Sequence, residues 1–83
     1  MTDTMTVDEA ISMLAEIFEV EESDINLDSR REDISGWDSL GVLSMMAEFD
    51  SRFGITIPSD TLSALEKVGD VIGILKELGA IQE

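Results

Sequence analysis

The sequence predicts an all-α fold, a small four-helix bundle with a long first loop and a short third helix. Three observations carry that expectation. Apolar residues recur at intervals of three and four in separate segments, the spacing that gathers side chains on one face of a helix. No segment alternates apolar and polar residues with the period of two that a half-buried strand needs. The chain has 83 residues, enough for one small domain over residues 1–83 and no more.

The first helix is read from Thr6 to Val20. Thr6 and Glu9 have capping-box spacing, an acceptor at the cap and a carboxylate three residues on. Val7, Ala10, Ile11, Leu14, Ile17 and Phe18 then make one apolar stripe, with Asp8, Ser12, Glu16 and Glu19 opposite. From Glu21 to Trp37 the periodicity is lost in a stretch rich in acids. Connections longer than about 12–15 residues are uncommon in compact domains. The spaced Ile25, Leu27 and Ile34 predict a loop tied down on the core rather than a free linker.

Asp38 is a good N-cap, with Ser39 as the first residue of the second helix. Val42, Met45, Met46, Phe49 and Phe53 form its stripe, and Gly54 supplies the stop. Ile55, Ile57 and Pro58 make an extended apolar connection. Ser59 then caps a short helix over Thr61 to Leu65. The last helix is read from Val68 to about Leu78, with Val68, Val71, Ile72, Leu75 and Leu78 inward and Gly79 ending it. Gly73 in its interior weakens it by about 1 kcal/mol relative to Ala.

Composition narrows the function. Five Lys plus Arg against nineteen Asp plus Glu give a net charge of −14, while 43% of residues are hydrophobic. The chain is too apolar to be a disordered acidic tail. Such a charge does not suit phosphate contacts, so nucleic-acid binding of the ordinary kind is not expected. A matched partner carries a basic patch. Without Cys or His, the chain has no disulfides, thiol nucleophile or imidazole base. Met1-Thr2-Asp3-Thr4 is acidic and polar, unlike a leader peptide. No apolar run approaches the roughly 18 residues that span a bilayer. A cytoplasmic monomer is expected.

Autonomous catalysis is hard to build from these residues. A serine needs a neighbouring base, and paired carboxylates need a substrate cleft that a bundle this small has little room for. No catalytic residue is assigned. Asp24, Asn26 and Asp28 stand at the first, third and fifth places of an EF-hand loop. Its sixth place needs Gly and holds Ser29, and its twelfth needs Glu and holds Ser35. No metal site is assigned.

Asp38 and Ser39 place a hydroxyl at the N-terminal end of the second helix. Free backbone N–H groups and the helix dipole there favour a phosphate. Taken alone, the pair is more simply read as an ordinary cap, because such caps are common.

Gly36-Trp37-Asp38-Ser39-Leu40, followed by Phe49-Asp50-Ser51-Arg52-Phe53-Gly54-Ile55-Thr56-Ile57-Pro58, resembles the acyl carrier proteins. In that family an Asp-Ser-Leu motif opens the second helix and a Phe-Gly-Ile-x-Ile-Pro-like segment ends it. Val68-Gly69-Asp70-Val71 at the last helix also fits, so the resemblance runs from the Thr6 helix to Leu78. It implies a non-enzymatic carrier whose Ser39 is esterified with 4′-phosphopantetheine, derived from coenzyme A by a phosphopantetheinyl transferase. The thiol is then on the arm and acyl groups travel on it as thioesters, which accounts for a chain with neither Cys nor His. Asp38 would cap the helix and support attachment. Acyltransferases, ketosynthases or acyl-activating enzymes with basic docking patches would be the partners.

Aryl and peptidyl carriers often show Gly-Gly-x-Ser at this point, and Gly36-Trp37-Asp38-Ser39 is closer to acyl carriers. Fatty-acid carriers usually display several glutamates on the outward face of the second helix, one of them five residues after the modified serine. Here that position is Ser44, and the face reads Leu40, Ser44, Ala47, Glu48 and Ser51. This predicts a specialised carrier, in a polyketide, modified-lipid or surface-glycan pathway, with a housekeeping fatty-acid carrier as the alternative. Outside the family, the alternatives are an acidic helical interaction module with no prosthetic group, or an acidic mimic of a nucleic acid.

Overall fold

A computed structural model describes residues 5–81; the acidic N-terminal segment read above, residues 1–4, lies outside them. Four α-helices follow one another: α1 (Val7–Phe18), α2 (Ser39–Phe53), α3 (Ser59–Ala64) and α4 (Val68–Glu77). Two 3₁₀ turns, Glu22–Asp24 and Arg31–Asp33, interrupt the long connection between α1 and α2. There are no strands among the described residues, only two isolated bridges, Met5 with Ile81 and Arg30 with Lys67.

The capping box of α1 forms as expected. Glu9 N donates to Thr6 Oγ1 at 3.1 Å, and Thr6 N donates to Glu9 Oε1 at 2.9 Å. The helix stops two residues before the predicted Val20. Glu19 turns left-handed at φ 58°, Glu19 N donates to Glu16 O and Val20 N to Ala15 O. That is a Schellman closure made without glycine. α4 closes in the same way at Gly79, φ 80°, with Ala80 N on Leu75 O at 2.8 Å. This closure corrects the reading of Leu78. The chain turns under the helix at Gly79, so Ala80 and Ile81 are buried and Leu78 is left 50% exposed.

Ser59 is also corrected: it is the first residue of α3 and not its cap, and the helix ends at Ala64. Pro58 O accepts from both Thr61 N and Leu62 N, at 3.1 and 3.2 Å. Pro58 itself therefore opens the helix, where its missing N–H costs nothing.

Ile25 and Ile34 of the long connection are buried, whereas Leu27 is 43% exposed. Backbone pairing, more than Leu27, holds that stretch down. Arg31 N donates to Glu66 O, Val68 N to Ser29 O and Gly69 N to Leu27 O, at 2.7, 2.9 and 2.9 Å. The connection is thus laced to the segment entering α4, where Asp70 Oδ2 accepts from Glu66 N and Lys67 N. The core lies where Phe18 and Leu14 of α1 meet Met45 and Phe49 of α2, Leu62 of α3 and Val68, Val71 and Leu75 of α4, all fully or almost fully buried.

Candidate functional site

The N-terminal end of α2 is held by three contacts that local sequence explains only in part. Trp37 is 4% exposed and stacks on Phe18, with ring centroids 5.2 Å apart and planes 13° apart. Gly36 lies against the end of α1, so close that a Cβ there would overlap the Phe18 carbonyl. A Cβ on Gly41 would overlap the Gly36 carbonyl in turn. The backbone before α2 therefore threads a space that admits no side chain at either glycine.

From that anchored start, Asp38 has extended backbone and its Oδ1 accepts from Gly41 N at 3.0 Å. One of the free helix-end donors is thereby satisfied. Ser39 is the first residue of the helix and is exposed, and the first turn carries no acid. Beside it lies an open cleft of about 370 Å³, lined by Ser39, Asp38 and Val42 together with Trp37, Arg31 and Ser63. The arrangement presents a primary hydroxyl at the positive end of a helix, with room beside it for an attached group.

The other predicted residues divide into two sets. Leu40 is 72% exposed, and Ala47 and Ser51 are exposed further along α2. Ser44 and Glu48 are half-buried at the seam with α1, where both line a groove with Met13 and Ile17. Glu48 is also paired, its Oε1 accepting from Arg52 Nε at 2.7 Å. The sequence reading missed Leu43, which is 57% exposed next to Leu40 and Ala47. Its signal was available: a leucine that falls off the Val42, Met45, Met46, Phe49 stripe has no place in the core. The exposed face of α2 is therefore more apolar than predicted.

In the acidic loop, Asn26 Oδ1 accepts from Asp28 N, and Ser29 Oγ accepts from Asn26 N. These side chains are occupied in closing a turn. No group of three or more Asp, Glu, His or Cys among the described residues is placed to hold a metal ion. No helix among them is long and apolar enough to cross a membrane.

A family profile described as "Phosphopantetheine attachment site" matches residues 8–75, from the first turn of α1 to the last turns of α4. The chain is 33% identical over 76 residues to a protein named "Acyl carrier protein" from Exiguobacterium sibiricum, across 92% of this chain and 96% of that one. A protein of the same name from Rickettsia bellii is 35% identical over 54 residues, which span 65% of this chain and 63% of that relative. A "Meromycolate extension acyl carrier protein" from Mycolicibacterium smegmatis is 31% identical over 77 residues, or 88% of this chain and 78% of that one.

Proposed function

The chain belongs to the phosphopantetheine-attachment family of acyl carrier proteins, and on that premise we propose that Ser39 is the residue that carries the arm. The protein is a carrier and not an enzyme, with 4′-phosphopantetheine as its prosthetic group. When bound, that group supplies a thiol on a flexible tether, on which acyl groups are held as thioesters. The chain's own part is to present the attachment hydroxyl, shelter the root of the arm and offer a face to the enzymes that use it.

The observation that carries the assignment is the position of Ser39, an exposed hydroxyl on the first turn of α2, behind a cap formed by Asp38 and over an open cleft. The fit to a phosphodiester is good on this chain's own chemistry. The helix end offers N–H donors, the first turn is free of acids, and the cleft has a guanidinium on its wall. Asp38 supports attachment by fixing the start of the helix. Intact mass after incubation with coenzyme A and a broad-specificity phosphopantetheinyl transferase tests the reading. One phosphopantetheine should be added to the native chain and none to Ser39→Ala, with the helical signal of both proteins unchanged. Loading of Ser39→Ala would overturn the assignment.

We further propose a specialised carrier, acting as a cytoplasmic monomer, in which residues 1–83 form one carrier domain. Its partners are a phosphopantetheinyl transferase and acyltransferases, ketosynthases or acyl-activating enzymes with basic docking patches. The face of α2 supports this, because Leu40, Leu43 and Ala47 are exposed and Glu48 is neutralised by Arg52. Charge at the rim of such an interface sets association rate and partner choice. The loaded protein is therefore expected to be a poor acceptor of malonyl groups from a standard fatty-acid transacylase. Ser44→Glu should raise kcat/KM, most at low salt. Efficient transfer to the native chain, with no gain from Ser44→Glu, would favour a housekeeping fatty-acid carrier.

A further inference from the structure

The arginines of this very acidic chain are not equivalent. Arg30 has Glu32 at 3.7 Å and Arg52 has Glu48 at 2.7 Å. Arg31 has no carboxylate within ion-pair distance among the described residues. Its Nη1 donates instead to the backbone carbonyl of Ser63 in α3, and its own backbone N–H is tied to Glu66 O at 2.7 Å. Arg31 is thus tied at its backbone to Glu66 and at its guanidinium to Ser63. In a chain of net charge −14, a guanidinium with no carboxylate at ion-pair distance keeps donors available for an anion of another kind. Arg31 is the basic member of the cleft beside Ser39.

We propose that Arg31 is a phosphate-positioning residue: its guanidinium takes the phosphodiester of the arm on Ser39 and holds the root of the arm over the cleft between α2 and α3. The inference rests on the assignment of Ser39 as the attachment residue. A guanidinium has five N–H donors in a planar fork. With one on the Ser63 carbonyl, others are free for the two unesterified phosphate oxygens, a pairing that suits Arg better than Lys. It also answers an electrostatic difficulty. The added phosphate brings a negative charge beside the Asp38 carboxylate, and the helix end offsets only part of it. A phosphodiester keeps one charge near neutral pH, so the contact is sensitive to salt and not to pH.

The test uses the full chain, loaded from coenzyme A by a broad-specificity transferase and checked by intact mass. The readouts are the ³¹P resonance of the diester and the Arg31 Nε–H resonance of ¹⁵N-labelled protein. On loading, the Arg31 Nε–H should shift and exchange more slowly with water. The ³¹P resonance should move as salt rises from about 0.01 M to about 1 M, where the Debye length falls from about 30 Å to about 3 Å. Arg31→Gln, compared once loaded, should lose that salt response, while Arg30→Gln should keep it and Arg31→Lys should keep it in weakened form. If Arg31→Gln fails to fold, the comparison of Arg31 Nε–H in the unloaded and loaded native chain decides. Full loading with an unmoved Arg31 Nε–H, or an identical ³¹P response in Arg31→Gln, would overturn the contact and leave the attachment reading intact. Failure of Ser39 to load would overturn both.

Discussion

Asp38, Gly36 and Gly41 act on the same few ångströms of backbone by different physics. Asp38 contributes a charge-assisted hydrogen bond to Gly41 N, and Asp38→Ala should cost about 0.5–2 kcal/mol through the lost cap. The glycines contribute by what they lack. Gly41→Ala keeps the cap and the helix, and by propensity alone should stabilise α2. Its Cβ would instead meet the Gly36 carbonyl, which forces the start of α2 away from α1. Overpacking of this kind costs about 1–3 kcal/mol. Denaturant midpoints check both substitutions. A Gly41→Ala protein more stable than the native chain would show that the approach of the α2 start to α1 is not tight.

Among the elements, α4 and the long connection show opposite relations to their sequences. Gly73 sits inside α4, and a Cβ there would meet nothing within 4 Å. Gly73→Ala should accordingly raise stability by about 1 kcal/mol through propensity and a less flexible unfolded chain. In a domain of this size that is a gain of about 4–8 °C in Tm. Thermal unfolding checks it, and an unchanged Tm would mean that α4 needs the glycine for a reason its packing does not reveal. The long connection has no periodicity to predict from, yet its carbonyls and amides pair with Glu66 and with the first residues of α4. Apolar side chains at Ile25 and Ile34 were readable as anchors. The backbone pairing was not, because a main-chain hydrogen bond leaves no mark on residue type.

For the molecule as a whole, the dominant feature is a net charge of −14 spread around a small core that contains no polar or charged residue among those described. A domain of this size buries only about 60–65% of the surface its unfolded chain exposes, and like-charge repulsion reduces the remaining margin. Screening should therefore raise Tm. Most of the gain should come between about 0.01 M and about 0.1 M salt, where the Debye length shortens from about 30 Å to about 10 Å. Magnesium or calcium should act at millimolar concentration without a stoichiometric site. Differential scanning calorimetry with isothermal titration checks both points. Saturable one-to-one calcium binding at micromolar concentration would contradict the account.

Residue order suffices to place the four helices, the caps at Thr6 and Asp38, the stop at Gly54 and the hydroxyl of Ser39 at a helix start. Each of these depends on residues within four positions of one another, and hydrogen bonds and stripes of that range are written in residue order. Contacts between distant segments are fixed only when the chain is assembled. Leu78 became surface because the turn at Gly79 tucks Ala80 and Ile81 beneath the helix in its place. Gly36 is required because the end of α1 passes against it. Arg31 stands beside Ser39 because the 3₁₀ turn carrying it is paired to Glu66 and braced on Ser63. The energies of such contacts are set by which backbone passes where, a property of the assembled fold that no local pattern encodes.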